Sequence, residues 1–196
     1  HKTVHRYYFH KKKHQLKAAI LNIIFVFRAF FYESTLKYFY HMNRFHSFTF
    51  NDFSEQTYLL DHGNGEATVF DPGMSSAQER EEFEETCERL GVEVVQCLLT
   101  HAHLDHVMGT HWIKHRYGCA PRLHPTDEQT WVQAPISAQL YGISLDELPE
   151  RGDDLGEHGS MIECGDLELE IRCAPGHSIG HVVFVCHRLK FVVGGD

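Results

Sequence analysis

Residues 100–106 read Thr-His-Ala-His-Leu-Asp-His, directly after the apolar-rich stretch 92–99, Val-Glu-Val-Val-Gln-Cys-Leu-Leu. That stretch reads as a buried strand, short and rich in β-branched and aliphatic side chains. Four ligand-type residues within six positions at its end (His101, His103, Asp105 and His106) constrain the fold more than any other feature. Imidazole nitrogens beside a carboxylate suit zinc, and also iron or manganese; the bland alternative is a histidine-rich surface loop. A strand holds alternate residues on one side, so the spacing aims His101 and His103 at one metal. A bend after them lets Asp105 and His106 reach a second.

Three further strings stand out along the chain. Asp71-Pro72-Gly73 follows a short apolar run, Ala174 to His181 reads Ala-Pro-Gly-His-Ser-Ile-Gly-His, and Phe191-Val192-Val193 leads into Gly194-Gly195-Asp196. With Gln56 to Leu60 upstream, these strings in this order resemble the metallo-β-lactamase superfamily of hydrolases over residues 44–196. Within it, the texture is most similar to the glyoxalase II (hydroxyacylglutathione hydrolase) branch.

The resemblance implies an α/β (α+β) fold, a four-layer α/β/β/α sandwich of two β-β-α halves. Its second half is expected to be incomplete here, because further strands, a final histidine ligand and much of the substrate pocket would follow Asp196. It implies that His101, His103 and His177 bind a first metal, and that Asp105 and His106 bind a second and belong to the catalytic set. Asp196 would bridge both. Two zinc ions are the expected occupants, with iron or manganese as alternatives. Asp71 is expected either to orient a ligand from behind or to be a turn residue only. His181, four residues after His177, is expected to be turned elsewhere by strand geometry. His124 is a candidate for the pocket lining, and His111, His115 and His187 are expected to be surface or core histidines.

The implied activity is hydrolysis by a metal-bridging hydroxide, with a small-molecule thioester such as an S-acylglutathione as the leading substrate. The same ligands serve β-lactam or lactone hydrolysis, phosphodiester cleavage and mononuclear-iron oxidation of glutathione persulfide. A domain lacking its last histidine ligand gives a further alternative, an inactive, weakly metallated fragment.

Charge divides the chain. Residues 1–41 hold eight Lys/Arg against Glu33 alone, a balance of +7; with −9 for the whole chain, residues 42–196 carry −16. So acidic a domain is a poor match for nucleic acid, which wants a basic surface. Phe, Tyr, Lys, Ile and Asn supply 21 of the first 41 residues but 22 of the next 155, and these are the types written by A/T-rich codons. Residues 1–41 are therefore expected to be translated upstream DNA, with Met42 as initiator of the hydrolase domain, 42–196. A targeting or membrane-surface segment is the rival reading. Its apolar run from Ala18 to Phe27 is short of the roughly 20 residues that span a bilayer, and bulky residues stand where a signal-peptide cleavage site would be. The six cysteines show no C-x-x-C pair, which favours reduced thiols and a cytoplasmic location. Nothing in the composition sets an oligomeric state.

Local signals complete the outline. Phe45 to Phe50 alternates as an edge strand, and Gly63-Asn64-Gly65 marks a hairpin between strands at 57–60 and 67–70. Ser76 to Glu79 is a capping box, and Gly91 is the stop of that helix. A single helix is expected from about His106 to Tyr117, and a strand at Pro121 to His124. One or two helical turns are expected at Asp127 to Val132, mostly loop over 133–160, a strand at 167–171, and a last hairpin around Cys186-His187-Arg188.

Overall fold

The alternation of buried and exposed side chains lays down two sheets in the computed structural model, which describes residues 44–196. The expectations for residues 1–41 and for a start at Met42 lie outside the described residues. In the first sheet β1 (Phe45–Phe50), β2 (Glu55–Asp61) and β3 (Glu66–Phe70) run antiparallel, and β4 (Glu93–Leu98) and β5 (Pro121–Arg122) join parallel to β3 in the order β1-β2-β3-β4-β5. The second sheet is an antiparallel meander of β6 (Met161–Cys164), β7 (Leu167–Cys173), β8 (Val182–Cys186) and β9 (Phe191–Val193).

Side-chain parity puts the sheets back to back. Leu60, Phe70 and Leu98 point from the first sheet into a cluster with Leu167, Leu169, Ile171, Val182, Phe184 and Val193 of the second. Leu59, Val69, Val94 and Cys97 face the other way, against Phe83 and Ile113 of the helices. Val94 and Cys97 share a face despite odd spacing because the pairing with β3 shifts register between Ala67 and Thr68, adding one residue to β4. That bulge frees Gln96 to donate to the Glu163 carbonyl of the second sheet at 2.8 Å, and sends Leu98 into the inter-sheet core.

The helix α1 (Ala77–Leu90) carries both halves of the capping box between Ser76 and Glu79, and ends at Gly91 in the left-handed conformation. The expected helix 106–117 is two helices, α2 (Leu104–Val107) and α3 (Thr110–Tyr117). The break falls at Gly109, whose N–H donates to the Pro72 carbonyl at 2.7 Å instead of to its own helix. The expected loop after 132 is helix α4 (Glu128–Tyr141), entered from a 3-10 turn at Pro125–Asp127. Buried Trp131, Ala134 and Ala138 anchor one face of α4, and Pro135 sits on its exposed side, so the missing N–H is tolerated in mid-helix. Among the described residues no helix is long and apolar enough to cross a membrane.

The layers are therefore helices, sheet and sheet. Strands β3 and β4 end side by side at Phe70 and Leu98, and the connections leaving their carboxyl ends carry the motifs, as in other open α/β sheets.

Candidate metal centre

His101 and His103 lie beyond the end of β4, in irregular backbone rather than on the strand. Thr100 holds this segment to both halves of the fold. Its carbonyl accepts from Val182 N at 2.9 Å, its N–H donates to Asp71 Oδ1 at 2.7 Å, and its hydroxyl donates to Asp71 Oδ2 at 2.7 Å. The one hydroxyl proton of Thr100 thus goes to a carboxylate. Its oxygen can then only accept from His101 Nδ1, 3.0 Å away, which fixes the tautomer with a bare Nε2. That Nε2 is buried and has no hydrogen-bond partner.

Around it the other imidazoles converge. The His101 ring centre lies 4.1 Å from that of His106, 4.7 Å from His103 and 4.8 Å from His177. His103 Nδ1 and His177 Nε2 stand 2.8 Å apart. Asp196 reaches between the two sides, with Oδ1 3.5 Å from His106 Nε2 and Oδ2 3.5 Å from His177 Nε2. Ligand atoms of His101, His103 and His177 all lie within 4.8 Å of one another, and so do those of His101, His106 and Asp196. Asp105 stands beside the second set, its Oδ2 3.6 Å from His106 Nε2.

The electrostatics favour a cation here. Burial, together with the neighbouring imidazoles of His106, His103, His181 and His177, holds the His101 pKa far below its usual range, so the ring stays neutral and able to ligate. Burial and His177 lower His103 as well. His106 behaves oppositely: burial opposes its charge, but Asp71, Asp105 and Asp196 outweigh burial and raise its pKa. A site that draws a proton onto one imidazole and leaves a buried Nε2 of another unpartnered fits a divalent metal, whose charge the carboxylates would meet.

Asp71 follows directly on β3, beside both Thr100 and His106. It holds a left-handed turn (φ 46°), rare for a buried non-glycine residue, and its Oδ2 lies 3.3 Å from His106 Nδ1. His181 is turned away from the cluster's middle, with Nε2 2.7 Å from the Gly194 carbonyl, where it steadies the segment that delivers Asp196. Gly195 makes that delivery feasible: a Cβ there would lie 2.5 Å from Thr100 Oγ1 and 2.9 Å from His181 Nε2. His124 faces Cys173 Sγ at 3.7 Å, His111 and His115 stack on each other, and His187 pairs with Glu170; none of them joins the cluster.

Two acidic residues escape sequence reading. Asp127 is fully buried behind the ligand loops. Glu55, 4% exposed, places Oε1 3.9 Å from His106 Nδ1 and Oε2 2.8 Å from the Thr57 hydroxyl. Alternation of Glu55, Thr57 and Leu59 along β2 is the only signal that would have turned Glu55 inward. Burial first, and then the Asp71 charge, push its carboxyl from an ordinary 4.5 up to about 10. A raised folded pKa means this group favours folding fully below about 4.5 and loses that contribution as the pH climbs toward 10. In metal-free protein, Glu55→Gln is therefore expected to match the parent near pH 5 and to exceed it at pH 8.5, by on the order of 2 kcal/mol. Thermal melts across that range test it, and an advantage that does not grow with pH would count against a neutral buried Glu55.

Burial also raises the thiols of Cys87, Cys119 and Cys164 to about 11, so none of these three is a thiolate nucleophile at neutral pH.

Back-to-back sheets with histidines and carboxylates at one end define a class, the metal-dependent hydrolases of this architecture. The chain belongs to the metallo-beta-lactamase superfamily, whose family model matches residues 51–196. It is 29% identical over 147 residues to hydroxyacylglutathione hydrolase GloC of Haemophilus influenzae, covering 74% of this chain and 66% of that one. It is 31% identical over 142 residues to the mitochondrial persulfide dioxygenase ETHE1 of Bos taurus, covering 71% of this chain and 46% of that one. Among solved structures it is similar to TTHA1623 in a di-iron-bound form, at TM-score 0.61 and 30% identity over 71% of this chain and 65% of the other. The chain thus spans less than two thirds of these relatives' own lengths. Members of the superfamily bind divalent metals.

Proposed function

We propose that this domain is the metal-binding core of a hydrolase that cleaves a small thioester of the S-acylglutathione type, with two zinc ions as the leading occupants and iron or manganese as alternatives. The observation that carries the reading is the buried, unpartnered Nε2 of His101 at the meeting point of two ligand sets. Likeness to a hydroxyacylglutathione hydrolase supports the substrate class.

His101, His103 and His177 would hold one cation, and His106, Asp105 and Asp196 the other. When bound, such a pair supplies Lewis acidity and lowers the pKa of water from about 15.7 toward about 7. The chain's own groups supply orientation. Asp71 fixes Thr100, and through it the His101 ring with its bare Nε2, while its Oδ2 stands 3.3 Å from His106 Nδ1. Asp196, with one carboxylate oxygen toward each set, spans the two sides. Asp105 Oδ2, partly open to solvent, is placed to take the proton that an attacking water gives up. We assign Asp105 and His106 to catalysis on that basis.

S-lactoylglutathione hydrolysis, followed as loss of thioester absorbance, tests the reading. Activity that a chelator abolishes and added zinc, manganese or iron restores is expected. Similarity to a persulfide dioxygenase favours a second reading, mononuclear-iron oxidation of glutathione persulfide. Oxygen uptake with persulfide, and no thioester cleavage, would replace the first reading by the second.

A further inference from the structure

Asp127 has no part in the reaction above, yet no side chain in the domain gathers more of the site's framework. It is fully buried at the end of the 3-10 turn that leads into α4. Its Oδ2 accepts from Ala102 N at 2.8 Å, the peptide between His101 and His103. Its Oδ1 accepts from Ser178 Oγ at 2.5 Å, from Gly180 N at 3.1 Å and from Thr130 Oγ1 at 2.9 Å. Ser178 immediately follows His177. The negative charge is thus met by two peptide N–H groups and two hydroxyls, drawn from the β4–α2 connection, the β7–β8 connection and α4.

The approach is close by construction. A Cβ on Gly180 would sit 2.3 Å from Asp127 N and 2.4 Å from Asp127 Cβ, atoms that belong to rigid backbone or lie next to it. One carboxylate oxygen therefore holds the loop of His101 and His103, the other holds the loop of His177, and their separation is that of a single carboxyl group. Asp71 does the matching work on the other side, tying Thr100 and standing 3.3 Å from His106 Nδ1.

We propose that Asp127 is a positioning residue that clamps the two ligand loops together and so sets the metal affinity of the His101–His103–His177 set. This rests on the metal-site reading above but not on the substrate. Buried charge-assisted hydrogen bonds to peptide N–H groups are strong and directional. Asn in place of Asp127 can accept through one atom only, so its amide must face either Ala102 N–H or the Ser178–Gly180 donors, and one loop is released.

The experiment is a stepwise zinc and cobalt titration of the full chain against a competing chelator, with the melting temperature of metal-free protein recorded alongside. Asp127→Asn is expected to weaken one binding step by roughly 10- to 100-fold and to leave the other within about threefold, with the tetrahedral cobalt bands of that step altered. Asp71→Asn, which disturbs both Thr100 beside His101 and the carboxylate beside His106, is expected to weaken both steps. Ser178→Ala, which removes one donor and keeps the carboxylate, should move the same step as Asp127→Asn by a smaller factor, and it decides the matter if Asp127→Asn does not fold. Equal weakening of both steps by Asp127→Asn, or unchanged affinities with only a lower melting temperature, would overturn the clamp. Metal binding without thioester hydrolysis would sink the proposed reaction and leave the clamp standing; absence of metal binding in the parent would sink both.

Discussion

Replacing His101 with alanine is expected to empty the site it forms with His103 and His177 and to abolish hydrolysis. The His101 Nε2 is buried without a hydrogen-bond partner, and its ring centre lies 4.1 Å from that of His106, 4.7 Å from that of His103 and 4.8 Å from that of His177. Without His101 that set would fall to the two imidazoles of His103 and His177, too few to hold a divalent ion against water. Without metal, the attacking water returns to a pKa of about 15.7, and hydrolysis should drop by at least about a thousandfold. His177→Ala removes a ligand of the same set and should, like His101→Ala, leave about one metal per chain. Elemental analysis of the purified variants, alongside thioester turnover, makes the comparison. Parent-like metal content in His101→Ala would show that His101 is not a metal ligand.

The largest loss of stability is expected from Phe184→Ala. Phe184 is fully buried between the sheets, its ring centre 5.4 Å from that of Phe70. Its strand neighbours are Ile171 on β7 and Val193 on β9, so it lies beneath the strands that deliver His177 and Asp196. Phe70 immediately precedes Asp71. Removing a buried phenyl ring costs about 3–5 kcal/mol, a large share of the roughly 5–15 kcal/mol that holds a domain folded. The denaturant midpoint should fall steeply with its slope unchanged, and metal content should fall with it. Val192→Ala, on the exposed face of β9, should change little. A loss below about 1 kcal/mol for Phe184→Ala would mean that the sheets are not held by this cluster.

Much of the architecture is legible one segment at a time. Alternation in β1, β2 and β7, the Ser76–Glu79 capping box and the Gly91 stop are local features, readable from neighbours within a turn or a pleat. The candidate ligand residues are legible for the same reason, since the three strings that carry them begin at or within two residues of a strand end. Reading fails where distant packing overrides local preference. Pro135 argues against helix, yet the burial of Trp131, Ala134 and Ala138 carries α4 through it. The extra residue in β4 is invisible until its pairing with β3 is known.

By itself, then, the sequence singled out His101, His103, Asp105, His106, His177 and Asp196 as candidate ligands, because they fall in short strings that follow apolar stretches, and its resemblance to a known superfamily supplied the two-sheet α/β expectation. Only the tertiary structure decided that Glu55 is buried beside His106, that Asp127 joins Ala102 to Ser178 and Gly180, and that His101 keeps a bare Nε2. Those facts depend on partners as many as 53 residues apart in the chain. A hydrogen bond between such partners exists only once both sheets have packed, and no local periodicity encodes it.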